Sequence, residues 1–136
     1  MPHLLYQEET FKIIGVCMRV HRNLGPGFLE SVYQEVLCKE FTEEGIPFED
    51  QKLLPLYYKN QKLEKYFKAD FLCFDRVILE LKASTFIHKA MENQVVNYLK
   101  ATSKPVGLLI NFGEKSLTWK RLINTTTIRD NPDKSA

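Results

Sequence analysis

The amino-acid sequence predicts a single α/β domain in which a mixed central β-sheet is flanked by helices. Three observations support this prediction. The chain has 136 residues, which is room for one hydrophobic core. Its hydrophobic fraction of 44% and charged fraction of 26% are those of an ordinary globular protein. The apolar pattern changes from helical to strand-like spacing near Phe48 and returns to helical spacing near Ile87.

The N-terminal third of the chain is predicted to form two helices. From Glu8 to Arg22, side chains of the first predicted helix recur at helical spacing, namely Phe11, Ile14, Cys17, Met18 and His21. A glycine- and proline-rich turn over residues 23–27 ends this helix. A second helix follows to about Glu44, and Gly45 is a suitable C-terminal stop.

Strand-like spacing then predicts four consecutive strands. Residues 53–58 and 63–66 flank a polar hairpin turn, and residues 68–74 and 77–82 form the next pair. The last two segments are apolar on both faces, which indicates a central position in the sheet.

The remaining elements are one helix and two strands. We expect the helix over residues 87–102 and the strands over residues 106–112 and 117–122, which completes the order α-α-β-β-β-β-α-β-β. A core over about residues 8–122 follows, and the polar residues 131–136 are predicted to be a disordered tail.

Composition and cysteine usage exclude some classes of protein. The formal net charge of +2 is too small to identify a polyanion partner. Cys17, Cys38 and Cys73 lie far apart in apolar runs, which predicts buried reduced thiols and neither a zinc nor an iron–sulfur site. No apolar stretch is long enough for a membrane span, and the N-terminus does not have the pattern of a signal peptide. We therefore expect a cytoplasmic protein with no membrane partner.

Two charged side chains stand where a central strand should be apolar. In residues 77–82, strand alternation places Glu80 and Lys82 on one face together with Ile78. A buried carboxylate and a buried ammonium are costly unless they are paired or bound to a metal. The structural alternative is a surface ion pair on an edge strand.

Asp70 is a third charge inside an apolar run, on the preceding predicted strand. A two-residue turn at Asp75-Arg76 would pair Asp70 with Leu81 and place its carboxylate on the wrong face. A three-residue loop or a bulge would bring Asp70 to the face of Glu80. We predict this second register, because two carboxylates must converge to bind one hard cation.

These residues together suit the metal-dependent hydrolysis of a phosphodiester. Asp70, Glu80 and the backbone carbonyl of Leu81 could hold Mg²⁺ or Mn²⁺. Lys82 could position the attacking water or stabilise developing negative charge.

Polar groups on helices are further candidates for the site. Gln94 and Tyr98 are spaced i, i+4 and Asn97 lies beside them, a pattern that suits contacts to a nucleic acid. Glu30 and Tyr33 are spaced i, i+3 on the second helix. His21 lies on the apolar face of the first helix, where a satisfied core residue is the commoner outcome and a metal ligand the alternative.

The ordered set of these motifs resembles the GxxExxY family of the PD-(D/E)xK nuclease superfamily over about residues 8–122. The motifs stand in this sequence as Gly27-Phe28-Leu29-Glu30-Ser31-Val32-Tyr33, Ala69-Asp70-Phe71, Glu80-Leu81-Lys82, Gln94-Val95-Val96-Asn97-Tyr98-Leu99-Lys100 and Gly107-Leu108-Leu109-Ile110-Asn111-Phe112-Gly113. The Gln94–Tyr98 helix is similar to that of RecB-type exonucleases.

The resemblance implies a restriction-endonuclease-like core and a role for each matching residue. Asp70 and Glu80 would be metal ligands, Lys82 the catalytic lysine and Glu30 a further acidic group at the metal. Gln94 and Tyr98 would be active-site or substrate contacts, and His21 is a candidate to join the metal. From their places on the helix faces, we also expect Asn97 and Tyr33 to contact substrate.

Three functional readings follow. The first is a nuclease acting on DNA, in repair or in the handling of foreign DNA, which works as a homodimer or with a targeting partner protein. The second is a nucleic-acid-binding or protein-interaction module that retains the fold without cleavage. The third is a structural, oligomer-forming domain, in which Asp70 and Glu80 would form salt bridges with basic groups. Nothing in the sequence selects DNA over RNA, single over double strands, or endonuclease over exonuclease action.

Overall fold

The computed structural model describes residues 6–125, which form three helices and five strands. In chain order these are α1 (Gln7–Leu24), α2 (Glu30–Glu44), β1 (Phe48–Tyr58), β2 (Gln61–Cys73), β3 (Val77–Lys82), α3 (Lys89–Thr102), β4 (Val106–Asn111) and β5 (Thr118–Ile123). The predicted tail at residues 131–136 lies outside the described residues.

The strands form one mixed sheet in the order β1-β2-β3-β4-β5. The β3–β4 pair is parallel and the other three pairs are antiparallel. Helix α3 makes the crossover between β3 and β4, as a parallel connection requires. The predicted mixed sheet is confirmed, and β3 is the middle strand of the five described.

The prediction of four strands before α3 is wrong by one, because residues 63–66 and 68–73 belong to the single long strand β2. The hairpin turn is shorter than expected. Lys59 and Asn60 take positive φ values of 50° and 65°, the backbone of a two-residue turn that suits the twist of a hairpin. Polar residues of β2 lie on the solvent side of a continuous strand, so their charge does not mark a turn.

Helices α1 and α2 cover one face of the sheet. The buried stripe of α1 contains Cys17 and His21 as expected, but Phe11 is 78% exposed. The apolar stripe is therefore rotated from the predicted one and is formed by Ile13, Val16, Cys17 and Val20. None of the helices that the structure describes has the length and apolar character needed to cross a membrane.

Helix α3 covers the other face and packs on the outer part of the β1–β2 hairpin. This second core contains Leu54, Phe67, Ala69, Leu72, Ile78, Val95, Leu99 and Leu109. Phe67 stacks on Tyr98 of α3 with ring centroids 4.0 Å apart and planes 14° apart. The hairpin is thus held against α3 by aromatic packing.

The alternation of side chains along β2 breaks at Asp70. Ala69 packs in the α3 core, whereas Phe71, two residues later, packs in the α1–α2 core. Gln51, which lies opposite Asp70 in the β1–β2 register, has a φ of +51° inside a strand. The two strands therefore change orientation together at the position of the candidate site.

Cys17 and Cys73 are buried as predicted, whereas Cys38 is half-buried and departs from the prediction. All three thiols are free in the described structure. Burial raises the pKa of Cys73 to about 12 and also raises the pKa of Cys17, so both buried thiols are protonated and unreactive at neutral pH.

Candidate active site

The register of β2 on β3 brings Asp70 level with Glu80. Phe71 pairs with Leu79 and Cys73 pairs with Val77, across a three-residue loop over residues 74–76. The predicted register is therefore confirmed, and the two-residue turn that would have separated the carboxylates does not form. The next pair along this register is Asp70 with Glu80.

At this level the two carboxylates accept hydrogen bonds from backbone amides across the strand pair. Asp70 Oδ2 accepts from the Leu81 N–H at 2.8 Å, and Glu80 Oε2 accepts from the Asp70 N–H at 3.2 Å. Each acidic group is thus held by the backbone of the neighbouring strand. The arrangement fixes the position of both carboxylates without neutralising them.

Lys82 follows two residues after Glu80 on β3 and is half-buried. Within residues 6–125, neither carboxylate nor Lys82 has an ion-pair partner within 4.0 Å. The middle position of β3 rules out a surface ion pair on an edge strand. In the described residues, Asp70 and Glu80 therefore lack the salt bridges that the structural reading required.

Burial raises the pKa of both carboxyls, and repulsion by neighbouring acidic groups adds to the shift at Glu80. Burial, with the nearby charges of Asp70 and Glu30, raises the pKa of Glu80 to about 8, against the opposing influence of Lys82. Burial also raises the pKa of Asp70, although the Leu81 N–H and Lys82 oppose that shift. The site therefore has an excess of negative potential that an added cation would relieve.

Glu30, the first residue of α2, reaches the end of β3. Its Oε2 accepts a hydrogen bond from the Ala83 N–H at 3.2 Å. Together with its electrostatic effect on Glu80, this contact places a third acidic group at the site. The structure brings together Glu30, Asp70, Glu80 and Lys82 from three separate elements.

Tyr33 is fully buried beneath the loop that leads into α2. Its hydroxyl donates to the carbonyl of Gly25 and accepts from the Phe28 N–H at 3.4 Å, and its ring stacks on Phe112 with centroids 4.5 Å apart. Gly27 in this loop has a φ of +109°, which a residue with a side chain rarely adopts. A ring without exposed surface does not offer the substrate contact that we expected of Tyr33.

Two glutamines that sequence reasoning did not identify contact Asp70. Gln34 Nε2 donates to the Asp70 carbonyl at 2.9 Å, and hydrogen bonding by the Gln51 side chain lowers the pKa of the Asp70 carboxyl against the effect of burial. The i, i+4 spacing of Gln34 from Glu30 is a signal that could have found it. Gln51 offers no such signal, because its role depends on the backbone distortion of β1.

The candidates on α3 fall into two groups. Gln94 and Asn97 are exposed, and within residues 6–125 their side chains form no hydrogen bond or ion pair. Tyr98 is half-buried and its ring is stacked on Phe67. Gln94 and Asn97 are thus available to a ligand, whereas the ring of Tyr98 is largely committed to packing.

His21 is hydrogen-bonded away from the carboxylates. Its Nε2 lies 2.8 Å from the carbonyl oxygen of Glu114, and its ring packs near Phe112. Because a carbonyl only accepts, Nε2 carries the proton and is not free to bind a metal. The geometry fits a satisfied core histidine and does not support the metal role.

The residues at the site fit a hard divalent cation with an incomplete set of protein ligands. In the described part of the chain, no group of three or more His, Cys, Asp or Glu side chains is arranged to hold a metal. Asp70, Glu80 and the Leu81 carbonyl supply oxygen ligands only. Mg²⁺ is commonly bound by one or two carboxylates, with water and substrate phosphate completing its shell.

Comparisons with known protein families and solved structures bear on what this site is. A family model of the PD-(D/E)XK nuclease superfamily matches residues 7–122. No curated protein matches the chain significantly. The crystal structure of SSO0001 is similar over 91% of this chain, with a TM-score of 0.50 and 16% sequence identity, a likeness of fold alone. This chain spans 64% of that protein.

The fold and the family match agree. The five-stranded mixed sheet with helices on both faces is consistent with a restriction-endonuclease-like core. The matched residues include every acidic residue of the site and Lys82. On these grounds the chain belongs to the PD-(D/E)XK nuclease superfamily.

Proposed function

We propose that this protein is a metal-dependent nuclease that hydrolyses phosphodiester bonds in DNA, and that it belongs to the GxxExxY family. One observation carries the proposal. Asp70 and Glu80 are held level on two inner strands, beside Lys82, with no ion pair to balance their charge in the described residues. A purely structural pair of buried carboxylates would be neutralised by basic partners.

The chain's own residues would divide the work. Asp70, Glu80 and the Leu81 carbonyl would hold Mg²⁺ or Mn²⁺, and Glu30 would add negative charge at the same place. A bound cation would supply Lewis-acid activation of the phosphodiester and of a water molecule. Lys82, whose ammonium has no partner within residues 6–125, would position that water or stabilise the negative charge that develops on the phosphoryl oxygens.

Other residues would support this arrangement without touching the reacting atoms. Gln34 and Gln51 hold the backbone and the side chain of Asp70. Tyr33 holds the loop that precedes Glu30, so we propose a positioning role for it. Gln94 and Asn97, which are exposed on α3, would contact the nucleic acid.

The biological setting is part of the proposal. We propose that the protein acts in DNA repair or against foreign DNA, as a homodimer or with a targeting partner. In a homodimer, each of the two active sites would cleave one strand of a DNA duplex. A partner would supply target recognition.

The test is cleavage of labelled DNA, linear and circular, single- and double-stranded, with Mg²⁺, Mn²⁺ or EDTA. We expect cutting that requires the cation and is lost in Lys82→Ala, which also controls for contaminating nuclease. The circular substrate separates endonuclease from exonuclease action, and an RNA arm tests the sugar preference. Absence of cutting by folded protein with either cation would favour the non-catalytic binding module.

A second readout does not depend on activity. We expect Mn²⁺ to raise the melting temperature of the parent protein, because the cation binds the folded state and relieves repulsion between the carboxylates. Glu80→Gln should remove most of that rise. An equal rise in both proteins would place the cation elsewhere.

A further inference from the structure

We propose that the outer part of the β1–β2 hairpin binds single-stranded nucleic acid on the side away from α3 and leads it to the carboxylates. We call this surface the hairpin face and define it by Leu53, Tyr57, Lys62, Tyr66 and Lys68. The proposal rests on the proposed function only in taking the bound strand to be the substrate.

The β1–β2 register places these side chains on one surface. Leu53 pairs with Lys68, and Tyr57 pairs with Lys62. Directly opposed residues of an antiparallel pair point to the same side of the sheet. Their neighbours Leu54 and Phe67 point the other way, into the α3 core. The hairpin face is therefore the solvent side of the hairpin.

The hairpin face exposes large apolar and aromatic side chains. Leu53 is 57% exposed, Tyr66 is 50% exposed and Tyr57 is 42% exposed. Single exposed hydrophobic residues are common on protein surfaces, but three of them close together form a patch of the kind that marks a binding site. Aromatic rings presented to solvent are the usual platforms on which unpaired bases stack.

Positive charge is concentrated on the same segment. Residues 53–68 contain four lysines and one glutamate, a formal charge of +3. Strand alternation places Lys62, Lys68 and Glu64 on the hairpin face, whereas Lys65 lies on the side of Phe67 and Lys59 lies in the turn. The whole chain has a formal charge of +2, so the remaining residues together carry −1. The hairpin is thus the basic part of an otherwise nearly neutral chain, which complements the charge of a phosphate backbone.

On the hairpin face a lysine lies beside an exposed aromatic ring. The Nζ atom of Lys62 lies 5.5 Å from the centroid of the Tyr66 ring. A base stacked on such a ring would have a lysine beside its phosphate. Base faces are accessible only in unpaired strands, so this surface favours single-stranded over duplex nucleic acid.

The hairpin face continues into the candidate active site along β2. Lys68 precedes Asp70 by two residues, which is about 7 Å of strand. Its charge also acts on the Asp70 carboxyl. Glu80 shares the α3 side of the sheet with Ile78. A strand lying over the rings of Tyr57 and Tyr66 would therefore reach the carboxylates at Asp70, where the alternation of β2 breaks.

The exposed edge of β1 is poorly suited to pairing with a strand from a second copy of this chain. Strand β1 is an edge strand, but it contains Pro55 and its register shifts between Pro55 and Tyr57. A proline and a bulge both interrupt the ladder that a second copy would need for pairing. The available surface is the face of the hairpin, where charge and rings fit a nucleic acid.

The experiment measures binding without cleavage. Labelled single-stranded DNA, single-stranded RNA and duplex DNA are titrated with the Lys82→Ala protein in EDTA, with fluorescence anisotropy as the readout. Further proteins carry Tyr57→Ala with Tyr66→Ala, or Lys62→Ala with Lys68→Ala. A matched control carries Phe11→Ala with Lys12→Ala, which removes an exposed ring and an exposed lysine from α1.

We expect the protein to bind single strands more tightly than duplex DNA. Both single-stranded DNA and single-stranded RNA should bind, with affinities that differ in magnitude only. The tyrosine pair should weaken single-strand binding by about tenfold or more, because each stacking platform contributes substantially to affinity. The lysine pair should lower the slope of log K against log salt concentration by about 1.4, or roughly 0.7 per lysine. The α1 control should bind like its parent.

Several results would overturn the proposal: equal affinity of the tyrosine pair and its parent, tighter binding of duplex, or no binding of any nucleic acid. Tyr57→Leu with Tyr66→Leu keeps apolar surface on the strands, so a loss of affinity there is attributable to the rings and not to misfolding. Because the assay contains no cation and no Lys82, a failure of the nuclease proposal leaves this measurement intact. Conversely, hairpin variants that cleave with the parent's KM would refute delivery to the site.

Discussion

The ends of the parallel strands β3 and β4 lie side by side, but their polar side chains differ in how fully they are hydrogen-bonded. At the end of β4, Asn111 is fully buried and its amide makes four hydrogen bonds. It accepts from the N–H groups of Ser84 and Gly113, and donates to the Ser84 carbonyl and the Glu114 carboxylate. Lys82, level with Asn111 on β3, makes no such bonds in the described residues.

This difference distinguishes a polar residue that stabilises the fold from polar residues that are available to a ligand. Every hydrogen-bonding atom of the Asn111 amide has a partner, so that residue closes the loop after β3 onto the loop after β4. The adjacent carboxylates have hydrogen bonds but no opposite charge close by. Saturated buried polar groups specify a fold, whereas unbalanced charges are retained where a ligand will balance them.

The largest expected effect is on catalysis by Glu80→Gln. We expect cleavage to fall by on the order of 10²- to 10³-fold. The stability of the cation-free protein should be unchanged or higher, because the amide keeps an acceptor for the Asp70 N–H and cannot ionise at this buried position. Cleavage rates and denaturant midpoints measure the two quantities. A strongly destabilised variant would mean that the carboxylate is structural, like Asn111.

Asn111→Ala should mainly lower stability, in contrast to Glu80→Gln. Removing the amide leaves buried partners unsatisfied, so we expect the free energy of unfolding to fall by about 2–4 kcal/mol. Chemical denaturation measures this loss. Asn97→Ala, at an exposed position, is the matched control and should change stability by less than about 0.5 kcal/mol. Equal effects of the two substitutions would remove the distinction between the strand ends.

The pH dependence of stability should sharpen the comparison. The pKa of Glu80 is raised in the folded state to about 8 from a reference value of 4.5, by burial and then by Asp70. Between these values the folded state binds more protons than the unfolded state, so stability falls as the pH rises. The expected slope is at most about 1.4 kcal/mol per pH unit.

Denaturation of the cation-free protein between pH 5 and pH 8 measures this slope. Glu80→Gln should flatten the curve over that range, whereas Asn111→Ala should shift it downward without changing its slope. A slope that persists in Glu80→Gln would assign the titration to another group.

The smallest effect is expected at Gln51. Gln51→Gly should change stability by less than about 1 kcal/mol, because relief of the positive φ offsets the lost side chain. It should nevertheless lower the cleavage rate by about tenfold, since Asp70 loses a hydrogen-bond donor. Gln51→Asn, which tolerates a positive φ but is one carbon shorter, is the comparison. Full activity in both variants would show that Gln51 does not position Asp70.

Much of this architecture was predictable because its signals are local. Periodicity located the three helices, and charges inside apolar runs identified Asp70, Glu80 and Lys82. The loop length after β2 was also predictable, since only one register lets the two carboxylates share a face. The sequence predicts one strand too many because the exposed polar residues of β2 have the same pattern as the ends of two shorter strands.

Local sequence patterns are sufficient to predict the mixed α/β fold, the middle position of β3 and the central acidic pair with its lysine. Which further residues reach that pair depends on tertiary packing. Glu30 contacts Ala83 across 53 residues, and Gln34 contacts Asp70 across 36. Such contacts depend on how helices dock on a twisted sheet, and no local periodicity encodes that docking. The burial of Tyr33 and the distortion at Gln51 arise from the same packing.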